Sequence, residues 1–185
     1  NTHIPRANLL YSPRNKILGA SLLMIYGLDS ASVRMRDCET ENASGAIVST
    51  YLPGEASGTV SYLFEHNIIR QEPGSTWAGF GVYENDPEHP STFVIQQNRM
   101  HSEGSAPWGP VFLENTRGAL VANNTITGND ARGGRYSLHF MYSQTNLVED
   151  NHYEGNTVGI FLMYSDGVIV RNNLVANAAG TTGVG

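Results

Sequence analysis

Two short runs, LHFMYS at 138–143 and IFLMYS at 160–165, place a methionine at the same point of nearly the same motif, 22 residues apart. Met141 and Met163 bring thioether sulfur, and His139, two residues before the first of them, brings an imidazole. Thioether and imidazole suit a soft monovalent ion such as Cu(I); hard oxygen-preferring cations pass them over, and zinc favours more histidine or a carboxylate. The same residue types more often serve another end, because exposed Met and Phe on one sheet face commonly mark a protein contact or lie beneath a loop. His152 reads either as an additional ligand or as a solvated turn residue. His66, His89 and His101 are scattered, with no spacing that suggests a catalytic triad.

A second chemistry is open to carboxylates. Glu84 and Glu114 each precede an Asn (Asn85 and Asn115) at the end of a strand-like run, FGVYEN and PVFLEN. Two carboxylates one repeat apart could divide the acid and base roles of glycoside hydrolysis, each tuning the other. Asp86, Glu88 and Arg117 lie close in sequence. Acidic residues at such corners are also commonly just solvated. Trp77 and Trp108, in related loops, offer a surface for stacking a sugar ring or gripping a partner, or else cover the edge of the core.

What must position these groups is a repeat. A β-branched or aromatic residue followed three positions later by Asn recurs at Asn67 (FEHN), Asn98 (IQQN), Asn124 (VANN), Asn151 (VEDN) and Asn173 (VRNN), with Cys38 (MRDC) in an earlier copy of the slot. The spacings of 31, 26, 27 and 22 residues predict one coil each of a right-handed parallel β-helix, an all-β single-stranded solenoid. Coils stack at about 4.8 Å, and an Asn inside each turn can bond the Asn of the next coil. Alternate residues, Leu138 and Phe140 or Ile160 and Leu162, are expected to fill the tube. His139, Met141, Phe161 and Met163 then point outward, with His139 beside Phe161, Met141 beside Met163, and Tyr142 stacked on Tyr164. The expected organisation is one solenoid domain over 1–185, with 1–30 a cap or an opening coil, and the whole part of a longer solenoid.

Composition agrees. Hydrophobic residues make up 40%, enough for a core, while charged residues make up only 15% and Gly and Pro number 20 and 8, a turn-rich balance that favours strands over helices. Eleven basic against 17 acidic residues, a net charge of −6, argues against binding the phosphate backbone of nucleic acids. A single cysteine, Cys38, rules out an intrachain disulfide and an all-thiolate zinc site, and reads as a small buried thiol. No apolar run reaches membrane-spanning length, and no basic and apolar leader opens the sequence at Asn1, which by itself fixes no compartment.

The stretch from Arg135 to Gly185, with HFMYS and LMYS on consecutive coils joined by EGNTVGI, resembles the NosD family of the pectin-lyase-like β-helix superfamily. VANNTITGND before it fits more loosely. The resemblance implies an exported, periplasmic accessory protein that works with an ABC-type ATPase and permease and a copper chaperone, and takes part in copper delivery to nitrous oxide reductase without being a hydrolase. The family's Met-containing strand motif lands on His139, Met141 and Met163. The alternative to copper delivery is a polysaccharide lyase or glycoside hydrolase built on Glu84 and Glu114; a binding module using the Trp loops is a third possibility.

Overall fold

Side chains along the strands alternate between buried and exposed, the period that a strand with one face on a core must have. In the computed structural model, residues 8–11, 16–18, 23–26, 32–41, 46–49, 60–71, 79–83, 91–102, 110–114, 116–122, 124–127 and 136–178 are described. They form twenty strands and no helix. The first coil holds β1 (Asn8–Tyr11), β2 (Lys16–Leu18) and β3 (Leu23–Tyr26), the second β4 (Ser32–Arg36), β5 (Glu39–Glu41) and β6 (Ala46–Ser49). The third holds β7 (Ser61–Glu65), β8 (Ile68–Gln71) and β9 (Phe80–Tyr83). In the fourth lie β10 (Thr92–Gln96), β11 (Arg99–Ser102) and β12 (Val111–Glu114), in the fifth β13 (Leu120–Ala122), β14 (Thr125–Thr127) and β15 (Tyr136–Met141). The sixth has β16 (Leu147–Glu149), β17 (His152–Glu154) and β18 (Val158–Met163), and the seventh β19 (Ile169–Arg171) and β20 (Leu174–Ala176).

Each strand pairs in parallel with the strand three places on, giving two seven-stranded sheets, β1 to β19 and β2 to β20, and a six-stranded third sheet, β3 to β18. That is the parallel β-helix the repeat predicts. No described helix is long and apolar enough to cross a membrane.

The core runs along the axis. Val33, Met35, Tyr62, Phe64, Phe93, Ile95, Val121 and Val148 line it from the first sheet, and Phe80, Val82, Val111, Leu113, Leu138 and Phe140 from the third. Because coils stack in register, Tyr62 lies on Phe93 of the next coil at 4.8 Å, while Phe64 stacks across the core on Phe80 of its own coil at 4.9 Å, both pairs nearly parallel. Leu138 and Phe140 fill the tube as expected, and Ile160 packs against it. Leu162 does not: it is 40% exposed. Its strand, β18, is the terminal one of the described third sheet, so no rung closes over it.

The asparagine ladder holds the corner between the first and second sheets. Oδ1 of Asn98 accepts from both the backbone N–H and the Nδ2 of Asn67, at 3.0 and 2.9 Å. Asn124, Asn151 and Asn173 repeat the arrangement one coil at a time. Each Nδ2 also donates back to a carbonyl of the coil before: Asn98 to Phe64, Asn124 to Ile95, Asn151 to Val121. Cys38 occupies the slot as read, its N–H donating to Asn67 Oδ1 at 3.1 Å, its side chain buried and its thiol pKa raised mainly by that burial. Among the described residues, the one before a slot turns the corner with a left-handed backbone: Asp37, His66, Gln97, Asp150 and Asn172 have φ between 54° and 56°. Asp, Asn and His tolerate that region better than most residues, and the ladder bonds offset its cost.

The corner after the third sheet corrects one expectation. Glu114 pairs with Met141 and with Tyr83, so Thr116, not Asn115, matches Ser143. Ser143 Oγ bonds Thr116 Oγ1 at 3.1 Å, and Ser143 N–H donates to Ser165 Oγ at 3.1 Å. The polar ladder here is built of hydroxyls, and Asn115 only resembled its rung by position in PVFLEN.

Candidate metal centre

Three consecutive strands of the third sheet, β12, β15 and β18, set out the candidate residues. Their register gives an outer row Tyr83, Glu114, Met141, Met163 and, beside it, Gly81, Phe112, His139, Phe161. Val82, Leu113 and Phe140 alternate with these and face the core. His139, Met141 and Met163 therefore share the face away from the tube, with Met141 and Met163 lateral neighbours on adjoining coils.

The face is not uniformly open. His139 is 0% exposed and Phe112 is buried, while Met141 and Met163 are half-buried. Rings enclose the imidazole: Phe112 edge-on at 5.2 Å, Tyr136 at 4.7 Å and Phe161 at 5.2 Å, with Tyr136 stacked on Phe161 at 4.4 Å. A shallow, solvated His/Met patch is what the strand alternation alone suggests. The structure replaces it with a walled histidine behind a thioether pair, because the outer row of rings packs into a second apolar cluster instead of facing water. Burial lowers the His139 pKa to about 4, so the ring is neutral near pH 7, the state a metal requires of imidazole.

The second outer row carries the sulfur and a carboxylate that the sequence reading had assigned elsewhere. Glu114 stands next to Met141, half-buried, its carboxyl pKa raised by desolvation. On its other side is Tyr83, whose phenol is pushed up to about 12, by burial first and by the Glu114 charge second. The Tyr83 ring leans across Gly81 to meet Phe112 at 5.3 Å; a Cβ on Gly81 would lie 3.7 Å from it. Just past the methionines, Tyr142 and Tyr164 stack at 5.0 Å with planes 9° apart, and both are exposed.

The carboxylate pair fares differently. Glu114 is matched with Tyr83 on the preceding coil. Glu84 itself lies outside the described residues, as do Asn85, Asp86, Glu88, His89, Trp77, Trp108 and Asn115. His152 sits on β17, in the second sheet, with Nε2 3.4 Å from Glu154 Oε2, and so on a different sheet from the methionines. His66 occupies a left-handed corner and His101 lies on β11. Among the described residues no three His, Cys, Asp or Glu side chains group as a metal site. The donor types that share the outer face are of another kind: two thioethers, a neutral imidazole two residues along the same face, and one carboxylate. That set fits a soft monovalent ion. The signal for Glu114 was available as strand register, but only once Thr116 is recognised as the rung matching Ser143.

Seven stacked coils with an internal asparagine ladder define a parallel β-helix repeat protein. The model of the family described as NosD, periplasmic copper-binding protein, matches residues 94–185, and the chain is a NosD-like protein. The matched stretch begins within β10 and takes in Glu114, His139, Met141 and Met163. No curated protein and no solved structure matches the chain.

Proposed function

We propose that this chain is an exported accessory protein that carries copper to a metalloenzyme, in the maturation of nitrous oxide reductase. The observation that carries the reading is the pairing of Met141 with Met163 on adjoining strands, with His139 neutral on the same face, inside the stretch that matches the NosD family. Cu(I) is the cargo. The two thioethers take it up at the half-buried rim, and the His139 imidazole lies behind them as a nitrogen donor. Few soft ligands at a rim favour release to a partner, whereas a closed four-ligand site would retain the ion. The role is transfer, not catalysis. The partners that fit are a copper chaperone as donor and an ABC-type ATPase and permease in the adjacent membrane.

The test is a Cu(I) titration against a chromophoric chelator, in a Cys38→Ser background that removes the thiol as a competing ligand. One equivalent should bind, and Met141→Ala with Met163→Ala should weaken binding by at least about tenfold, the scale on which single ligands and their supports act. Unchanged affinity in the double variant removes the thioether row as the site. The polysaccharide-cleaving alternative rests on Glu84 and Glu114, of which Glu114 lies among the described residues.

A further inference from the structure

We infer that Glu114 is a further donor to the same ion, its carboxylate adding one oxygen to the Met141 and Met163 thioethers and the His139 imidazole. This rests on the copper reading above. Glu114, Met141 and Met163 are consecutive rungs of one row, on β12, β15 and β18. Rungs are about 4.8 Å apart, so three flexible side chains of this length converge on one point over the middle strand.

Two features set Glu114 apart. Other glutamates on the strands have partners on a neighbouring coil: Glu39 with Arg70, Glu65 with Gln96, Glu149 with Arg171, Glu154 with Asn177. Among the described residues, the Glu114 carboxylate has no hydrogen-bond or ion-pair partner, although the residue is half-buried. A partly desolvated carboxylate without a counter-charge is unfavourable, and a bound cation would relieve it. The second feature is charge. Thioethers and a neutral imidazole bring none, so a monovalent cation held by them alone at a half-buried face would leave one positive charge uncompensated. Glu114 supplies one negative charge, and the loaded row is neutral. The same balance disfavours a divalent ion, which would keep a net positive charge among soft, neutral donors.

The experiment uses the Cys38→Ser chain with Cu(I), comparing Glu114→Gln, the Met141→Ala/Met163→Ala pair and the unsubstituted site. Affinity comes from chelator competition and the ligand atoms from X-ray absorption at the copper edge. Glu114→Gln keeps size and fold, which chemical denaturation verifies, and should weaken Cu(I) by about tenfold or more. Its spectrum should lose one oxygen scatterer while keeping both sulfurs. If the methionine pair matters and Glu114→Gln leaves affinity and scatterers unchanged, the assignment of Glu114 as a donor is overturned and the copper reading stands. If the methionine pair does not matter either, both fall. A lowered Tyr83 phenol pKa in Glu114→Gln, read by ultraviolet titration, shows independently that the carboxylate sat where the register places it.

Discussion

His139 shows how burial turns a side chain with an ordinary pKa into a conditional one. Walled by Phe112, Tyr136 and Phe161, it has a folded-state pKa near 4 against 6.5 when solvated. Above about pH 6.5 both states are neutral and the ring contributes its packing in full. Between 6.5 and 4 the unfolded chain takes up a proton that the folded chain refuses, so stability falls with pH and levels off below 4. At about 1.4 kcal/mol per unit, the shift amounts to something on the order of 3 kcal/mol. Glu114 works in the opposite direction, since its raised pKa favours the folded state once it is protonated. Comparing urea unfolding of the metal-free chain with His139→Phe from pH 7 to 4 isolates the histidine: the variant should lose most of the acid sensitivity, and parallel curves would mean the ring is solvated. At this scale the sequence was only half legible. Which face His139 takes followed from alternation with Leu138 and Phe140; that the face is roofed by rings did not, because periodicity reports direction and not what lies beyond.

Among the elements, the corners were easier to read than the strands between them. Asn67, Asn98, Asn124, Asn151 and Asn173 stood out because a short amide supplies an acceptor and two donors beside the turn at a fixed place in every repeat. The third-sheet corner was harder, since Thr116, Ser143 and Ser165 differ in type and Asn115 imitates a rung from one position away. That slip of one residue paired Glu114 with the wrong neighbour, and in a strand one residue changes the face. The Asn ladder also has a measurable weight. Asn124→Ala strips Asn98 of its acceptor for two donors and leaves the Ile95 carbonyl without its bond. Such buried losses cost about 1–3 kcal/mol per unsatisfied group, so the variant should be destabilised by roughly 3 kcal/mol in denaturant unfolding. A change below about 0.5 kcal/mol, the range of ordinary surface substitutions, would mean that water replaces the rung.

Taken as a whole, the molecule is close to one-dimensional: every described strand pairs with its equivalents on neighbouring coils. Damage should therefore stay local. In Asn124→Ala, amide exchange should rise in β13, β14, β16 and β17 while β4 and β5 keep their protection; a uniform rise would show that the coils unfold as one unit. The ladder adds a sense of direction. In every rung the backbone and side-chain donors of one coil point at the Oδ1 of the coil that follows, so Asn67 waits on Asn98 and Asn98 on Asn124. An Asn that arrives satisfies its predecessor and at once presents two donors to its successor. The solenoid is thus a polar filament in the sense of a growing polymer, with an end that is primed and an end that is spent. A polypeptide emerging amino end first from a translocation pore meets these demands in the order in which it is delivered, so that structure can lengthen coil by coil behind the exit without waiting for the rest of the chain.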